Sequence, residues 1–472
     1  MDDAMSALDD ALHELGTVRV RRDRNRNACQ KMSPSQAVEC IEASTSFLED
    51  LCVWHVFTGA LDYDLLRKLP YVIDSPFVQI DPSIHVQYYS MLYYGSSKLF
   101  KPGNTFSEDA YLTMLEVVPA WLDASTDTLA DVHTATMMVW AALSMLDYQL
   151  AWKFHCKACS YIKLSGIDHL DILPPKTIEE QSKRADLRIL HWHILSADIL
   201  FRVLLGKPSI LRWSQQKIDL PTVFHRTNLS SHTQLFTSVI WTRYTMMTAE
   251  ILEEIDRAAI DHKEDLVRKV DDFCVQLDRL IEEWNMEQLL RNESTSNTFR
   301  FGIADHIMSM YAIIIGIKRM IRSKTQVTPI DPNTVRAARK VVSTILYLST
   351  VGWAPLPSVS EIYFDTLVSF YPFSAVFSLY EHILASSDYE ACEDDIQRLE
   401  NLERVMKPTA LNRSDFSPFT KTVAALNALS RNIQEQRQRQ QRLALTGERT
   451  PGYLSFLFLM LRWELIPFRM TL

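Results

Sequence analysis

Glycine is scarce in this chain, and that scarcity limits the folds open to it. Only 11 of the 472 residues are Gly, about a third of the usual frequency near 7 %. Sheets need tight turns and bulges, and these positions favour Gly because its backbone adopts positive φ angles without strain. Long stretches of the sequence instead show the apolar spacing of helices. We therefore predict an all-α protein, a large multi-helix domain of antiparallel packed helices with no significant sheet.

Helical patterns follow one another along the chain, and most are bounded by Pro, Gly, Ser, Asp or Asn, as helix ends usually are. Ser33 and Pro34 offer an N-cap and a first-turn proline for a helix to about Phe57. The stretch from Ile307 to Met320 is apolar on nearly every face, which predicts a helix at the centre of a core. The predicted helices are 1–15, 34–57, 86–99, 107–122, 128–147, 149–165, 178–206, 232–262, 264–291, 298–323, 332–350, 361–371, 372–386, 389–407 and 414–442.

Composition divides the chain into successive predicted parts. Residues 1–33 combine a short amphipathic helix with a basic segment, and residues 34–425 form the main helical domain. Residues 426–450 contain the Gln- and Arg-rich sequence RNIQEQRQRQQR, interpreted as a helix or a linker. Residues 451–472 are an apolar, aromatic tail that we expect to pack on the body. A partner-binding segment and an artefact of the gene model are the alternatives for this tail.

Charge and cysteine content narrow the class of protein. The net charge is −9, and an acidic body repels phosphate, so broad nucleic-acid binding is not expected. The 7 Cys residues are odd in number and irregularly spaced, which indicates reduced thiols in an intracellular compartment. No secretory signal is recognised. The apolar stretch from Tyr453 to Leu461 is shorter than the roughly 20 residues of a spanning helix, so no membrane segment is expected.

One Cys-x-x-Cys pair, Cys156 and Cys159, is accompanied by His155 in a helical stretch. His155 and Cys159 share a helix face and are candidate ligands of one metal. A structural zinc site usually draws its ligands from two spaced pairs, and no second pair follows at a suitable spacing. His191 and His193 do not face each other on a helix, so we expect core or boundary histidines with satisfied hydrogen bonds. We predict no metal site and no cofactor.

Catalytic motifs are missing from the sequence. It contains no nucleophile elbow, phosphate loop, His-Glu-x-x-His or Gly-x-Gly-x-x-Gly. An all-α terpene cyclase would need acids at positions i, i+1 and i+4 of one helix to bind magnesium and diphosphate. The adjacent acids of this chain do not complete that pattern and are interpreted as solvated helix charge: Asp9–Asp10, Asp271–Asp272 and Asp394–Asp395. We therefore predict no catalytic residues and no enzyme.

The most distinctive stretch of the chain covers residues 188–221, RILHWHILSADILFRVLLGKPSILRWSQQKIDLP. It is a long apolar helix with one acid, a Gly-x-Pro stop and an Asp-Leu-Pro segment. A block at 151–164, AWKFHCKACSYIKL, precedes it, and a block at 370–373, FYPF, follows it. In this order, over about residues 45–410, the blocks resemble the middle homology region of fungal binuclear zinc-cluster transcription factors, the regulatory domain of that family.

The resemblance is carried by residues with structural roles. The chain departs from the family pattern at Lys207, where Arg is usual, and at 164–167, where a Leu-Gly-Leu-like stop reads Leu-Ser-Gly-Ile. The matching residues are Trp152, Arg188, Trp192, Asp198, Gly206, Pro208, Asp219, Pro221, Tyr371 and Pro372.

Each of these residues also has a physical interpretation. Trp192 is expected in the core. Asp198 in so apolar a run needs a partner because an unpaired buried carboxylate is costly, and Arg202, one turn on, is the candidate. Gly206 can take positive φ at the helix stop, after which Pro208 blocks continuation. Pro372 should start or kink a helix.

The zinc module of the family has no counterpart here. Family members hold zinc with six Cys and so place a helix in the major groove, whereas the N-terminal Cys of this chain are Cys29, Cys40 and Cys52, too few and too widely spaced. This argues against bound zinc and against direct DNA contact. The basic run from Arg19 to Lys31 is interpreted as a remnant of the linker that follows such a zinc cluster. A candidate nuclear-import patch consists of Arg19, Arg21, Arg22, Arg24, Arg26, Arg437, Arg439 and Arg442.

The resemblance implies a nuclear transcriptional regulator that acts through a helical partner-binding domain, and a biosynthetic gene set is a candidate target. The implied partners are the transcription machinery or another DNA-binding factor, a small-molecule effector, and a second copy or related chain in a homo- or heterodimer. No membrane partner is expected. The alternatives are a diverged all-α enzyme of terpene cyclase type and a helical scaffold protein.

Overall fold

The protein is all-α in the part of the chain that the structure describes. The computed structural model describes residues 2–16, 32–50, 61–100, 105–221, 232–258, 263–325, 330–350, 364, 366–386, 388, 390–413 and 415–446. These residues form helices, turns and short extended connections, and no strand occurs among them. The predicted fold class is confirmed.

Five helices of the first half begin after residues whose side chains cap them. Side chains of Asp62, Asp81, Thr128, Asp147 and Thr177 accept hydrogen bonds from backbone N–H groups of the first helical turns, which otherwise lack partners. The helices are α1 (Asp2–Gly16), α2 (Pro34–Asp50), α3 (Tyr63–Lys68), α4 (Pro82–Leu99), α5 (Phe106–Ala124), α6 (Leu129–Ser144), α7 (Tyr148–Leu164) and α8 (Ile178–Leu205), with 3₁₀ turns at Leu69–Tyr71 and Ile167–His169.

The second half contains α9 (His232–Arg257), α10 (Lys263–Glu283), α11 (Met286–Arg291), α12 (Asn297–Thr325), α13 (Pro332–Thr350), α14 (Pro372–Ala385), α15 (Glu393–Asn412) and α16 (Ser417–Thr446). The single helix predicted over 264–291 is wrong, because Asn285 adopts a left-handed conformation with φ 50° between α10 and α11. The helix predicted over 128–147 ends at Ser144, and Leu146 there has φ 57°. Pro372 occupies the first turn of α14, which confirms its predicted role.

Helix α12 is the centre of the core. Helices α8, α9, α10, α11, α13 and α14 all pack against it. Its 27-residue stretch Asn297–Ser323 is apolar and long enough to cross a membrane, but 89 % of the tested window is buried inside the protein. The prediction that Ile307 to Met320 forms a central core helix is therefore confirmed for Ile307 to Lys318, each of which is buried.

The two terminal helices of the described chain pack together. Helix α1 lies along α16, and Lys421 pairs with Glu14 at 2.8 Å. Helix α16 is continuous through residues 425 and 426, where the sequence analysis placed a boundary. Residues 451–472, the predicted tail, lie outside the described residues.

Candidate functional site

The segment that follows α8 is fastened along that helix. Gly206 ends α8 with φ 64°, and its N–H donates to the Arg202 carbonyl at 3.1 Å. The Lys207 N–H donates to the Phe201 carbonyl at 3.2 Å. These bonds form the usual glycine stop of a helix, as the sequence predicted. Pro208 is exposed just beyond it.

Asp198 holds this segment in place from inside the core. Its carboxylate is 1 % exposed and accepts hydrogen bonds from the backbone N–H groups of Ile210 at 3.0 Å and Leu211 at 3.3 Å. His155 Nε2 lies 2.9 Å from Asp198 Oδ1. The predicted partner was wrong: Arg202 turns away and pairs with Asp256 on α9 at 3.1 Å. Asp198 points into the core, where the nearest donors are main-chain groups and an imidazole.

Arg188, Trp192 and Asp219 extend the same arrangement. The Arg188 guanidinium donates two hydrogen bonds to Asp171, at 2.7 and 2.6 Å, and Asp171 also accepts from the Asp219 N–H at 2.9 Å. Trp192 is fully buried, and its indole N–H donates to the Asp219 carbonyl at 3.0 Å. Pro221 is the last described residue of the segment, and Trp152 packs on Phe201 and His155. Arg188, acting through Asp171, and Trp192 thus anchor Asp219 of the segment after α8 through hydrogen bonds.

His155, Cys159 and Asp198 form a buried cluster whose ligand atoms lie within 4.8 Å of one another. The predicted shared face of His155 and Cys159 is confirmed, since Sγ lies 3.2 Å from His155 Nε2. That nitrogen faces both the thiol and the carboxylate, and a neutral ring nitrogen carries one proton or one lone pair. Burial, and to a smaller extent the charge of Asp198, raise the pKa of the Cys159 thiol well above its ordinary value. The cluster is a hydrogen-bonded junction between α7 and α8.

The adjacent acids do not converge on a shared site among the described residues. Asp271 pairs with Lys318, which also binds Asp331 at 3.0 Å. Asp395 is buried and held by Arg339 through two bonds of 2.7 Å. Their neighbours Asp272 and Asp394 are exposed, as are Asp9 and Asp10. Asp271 and Asp395 are therefore held by ion pairs, and the interpretation as solvated helix charge applies to their neighbours.

The basic residues of the candidate import patch have different environments. Arg437 donates to the main-chain carbonyls of Leu384 at 2.7 Å and Ser386 at 2.5 Å, so it caps the C-terminus of α14. Arg439 is 76 % exposed and lies near Glu435, at 3.7 Å. Arg442 lies on α16, and its side chain is outside the described part. The remaining patch residues, Arg19, Arg21, Arg22, Arg24 and Arg26, also lie outside it.

Cys40 is the N-terminal cysteine that the structure describes, and its environment does not suit a zinc ligand. Cys40 is fully buried on α2, and burial, with a smaller effect from Glu39, raises the pKa of its thiol to about 12. A zinc ligand must be a thiolate. Cys29 and Cys52 lie outside the described residues.

A cavity of about 170 Å³ lies where α2, α4, α6, α8, α9 and α12 meet. Small side chains at facing positions leave this space, including Ser144, Ser196, Thr237 and Gly302. Seven aromatic side chains form much of its wall: Phe47, Tyr94, Trp140, Trp241, Tyr244, Phe301 and Tyr371. No Lys or Arg is among the described residues that line it.

One carboxylate, Asp305 of α12, lines the cavity. The Tyr371 hydroxyl donates to Asp305 Oδ1 at 2.7 Å. Ser309 Oγ lies 2.7 Å from the Tyr371 hydroxyl, and because the Tyr371 proton is used by Asp305, Ser309 donates to Tyr371. Burial raises the pKa of Asp305 to about 6, against the opposing effect of the Tyr371 hydrogen bond. No described Lys or Arg pairs with this carboxylate.

Two histidines also line the cavity. The Trp140 indole N–H donates to His193 Nε2 at 2.8 Å, which leaves the His193 proton on Nδ1. Burial lowers the pKa of His306 to about 4, and its Nδ1 lies 3.4 Å from the Tyr244 hydroxyl. His193 is thus a core histidine with a hydrogen-bond partner, as predicted. His191 differs from that prediction, because it is buried and neither ring nitrogen has a hydrogen-bond partner among the described residues.

A second, larger cleft of about 290 Å³ lies between the starts of α3, α4 and α6. Three described acids line it: Asp62 and Asp81 cap α3 and α4, and Asp131 accepts from the Trp121 indole at 2.8 Å and from the Thr128 N–H at 2.9 Å. Asp131 and Thr128 form the capping box of α6. The polar groups of this cleft are therefore used to start a helix, whereas Asp305 retains acceptor capacity toward the central cavity.

The chain matches no protein-family model and no curated protein. Of the residues singled out in the sequence, Tyr371 and His193 line the cavity and make hydrogen bonds there. Asp305 was missed, although it carries the same signal as Asp198, a single acid inside a long apolar run. His306 and Tyr244 carry no comparable sequence signal, because isolated His and Tyr residues are common in helical cores.

Replacing Asp305 with Asn should change how stability depends on pH. Asp305 has a pKa of about 6 in the folded protein, against an ordinary value of 3.8. Because the folded state holds this proton more tightly than the unfolded state, wild-type stability falls as the pH rises from about 4 to about 6. The variant cannot ionise. Its free energy of unfolding relative to wild type should therefore increase by up to about 3 kcal/mol between about pH 4 and pH 7.

Urea denaturation of both proteins across this pH range measures that difference. The buried histidines His133, His191 and His306 have pKa values lowered by burial to about 4. They destabilise both proteins as the pH falls, and they cancel when the two curves are subtracted. A difference that stays constant with pH would contradict a raised pKa at Asp305.

Proposed function

We propose that the chain is a nuclear transcriptional regulator of fungal type whose helical domain responds to a small molecule bound in the central cavity. The cavity is the observation that carries this proposal. It combines an aromatic wall with one carboxylate, Asp305, that has no Lys or Arg partner among the described residues. Hydrogen-bonding groups from separate helices also line it. Apolar cavities with a few converging polar groups are the usual form of small-molecule sites.

The ordered resemblance of residues 151–164, 188–221 and 370–373 to the fungal regulatory domain supports the transcriptional role. In this proposal, DNA contact comes from a partner factor, because the zinc-cluster ligands do not fit. A ligand at the meeting point of α6, α8, α9 and α12 would change how these helices pack, and it would thereby alter the surface offered to partners.

A reporter assay tests the proposal. We expect the full chain, fused to a foreign DNA-binding domain, to change transcription of a reporter relative to that domain alone. Fluorescently tagged chain should accumulate in nuclei. Asp305→Asn should alter the reporter output, and Asp272→Asn should not, because Asp272 is an exposed acid outside the cavity. An inert fusion together with exclusion from nuclei would refute the proposal.

A further inference from the structure

The central cavity has a definite electrostatic character. Asp305 is the one acid among its described lining residues, and no Lys or Arg lines it. His193 Nε2 accepts a hydrogen bond from Trp140, as an unprotonated nitrogen does, and burial lowers the pKa of His306 to about 4, so His306 is neutral at physiological pH. Burial also raises the pKa values of Tyr244 and Tyr371 above their ordinary range, so both hydroxyls remain protonated. The cavity therefore carries a negative charge without a matching positive one.

The protein satisfies only part of the Asp305 carboxylate. An ionised carboxylate has about four acceptor positions, and among described residues the Tyr371 hydroxyl is its hydrogen-bond donor. Ser309 donates to Tyr371, so the short chain of hydroxyls directs its protons toward Asp305. The remaining acceptor positions are available to a group inside the cavity.

The walls suit a cation that carries an apolar body. Rings of Trp140, Trp241 and Tyr244 line the cavity, and aromatic faces attract ammonium groups, most strongly where water is excluded. The volume of about 170 Å³ is close to the roughly 150 Å³ of a protein cavity known to bind benzene. One ring with a short arm is therefore the size of ligand that fits.

We propose that the cavity binds a compact aromatic primary amine, with its ammonium group paired to Asp305 and its ring packed among Trp140, Trp241 and Tyr244. This inference names the ligand class for the proposed effector site and rests on that site being a binding site. Neutral molecules of the same shape lack the charge that Asp305 requires, and anionic ones are repelled by it.

Calorimetric titration of the purified full-length chain tests the ligand class with matched probes. Phenethylamine should bind, phenethyl alcohol should bind at least about tenfold more weakly because it lacks the charge-assisted hydrogen bond, and phenylacetate should not bind. Asp305→Asn, which preserves the side-chain shape, should weaken phenethylamine binding by at least about tenfold. Asp272→Asn is the matched control, because it removes an exposed acid elsewhere, and it should bind like wild type.

The pH dependence provides a second measurement on the unaltered protein. Phenethylamine affinity should fall as the pH drops below about 6, where Asp305 becomes protonated. Equal affinity for the amine and the alcohol, undiminished binding by Asp305→Asn, or no detectable amine binding would each overturn the inference. Because the titration needs no transcription, an inert reporter fusion together with exclusion from nuclei, with amine binding intact, would refute the regulatory role alone. A working reporter without amine binding would refute the ligand class alone.

Discussion

Replacing Gly95 with Ala is expected to lower the free energy of unfolding by about 4 kcal/mol or more. A Cβ at this position of α4 would lie 1.8 Å from the carbonyl oxygen of Cys40 on α2. The obstacle is main chain, which cannot rotate away, so the two helices would have to separate. Ala is favoured over Gly inside a helix by about 1 kcal/mol, which is too little to offset this clash. Urea denaturation followed by circular dichroism measures the loss.

Gly302→Ala is the matched control for Gly95→Ala. It makes the same substitution inside a helix, but the nearest atom to the new Cβ is a methyl group of Thr237, at 3.2 Å. A side-chain methyl can shift by a few tenths of an ångström, so the variant should remain within about 1 kcal/mol of wild type. If the Gly95→Ala and Gly302→Ala variants unfold at the same urea concentration, α2 and α4 do not lie as close together at Gly95 as the structure shows.

Asp198→Ala is expected to cost about 3–5 kcal/mol of stability. The substitution removes the acceptor of the Ile210 and Leu211 N–H groups and the partner of His155. Buried donors left without a partner cost about 1–3 kcal/mol each. Asp198→Asn keeps one carbonyl oxygen and should lose less. Denaturation of the purified variants in urea gives these values.

The Arg202→Ala variant tests whether Asp198 is stabilised by the partners seen in the structure or by Arg202, the partner predicted from the sequence. Arg202 is 13 % exposed and pairs with Asp256, which is 37 % exposed. Such a pair near the surface contributes about 1 kcal/mol, and its loss should add to that of Asp198→Ala. If Arg202→Ala were as damaging as Asp198→Ala, and the double variant no worse than either, the helical neighbour would be the true partner.

The helices could be predicted because their causes are local. Caps such as Thr128 and Thr177, the first-turn proline Pro372 and the glycine stop Gly206 act within a few residues of the helix end. Apolar spacing identified the faces that become buried, and an apolar surface on all sides identified α12 as the central helix. The exceptions at Leu146 and Asn285 are left-handed residues other than Gly, which the sequence pattern does not mark. The short helix α3 and the first turn of α4, which begins at Pro82 instead of residue 86, were not predicted either.

The partners of the polar side chains could not be predicted, because they lie far apart in the chain. Asp198 meets His155 from α7, and Arg188 meets Asp171. Asp305 and Tyr371 are separated by 66 positions yet share a hydrogen bond. Helical spacing suggested Arg202 for Asp198 because it reports only on neighbours within one helix.

Sequence alone therefore determined that this chain is helical, where most helices begin and end, and which helix is innermost. Tertiary structure decided which charges are compensated, and it created the cavity where Asp305 retains acceptor capacity. The physical reason is one of range. Helix formation depends on hydrogen bonds and caps over a few residues, whereas a cavity and its unmatched charge arise only when helices distant in sequence pack against one another.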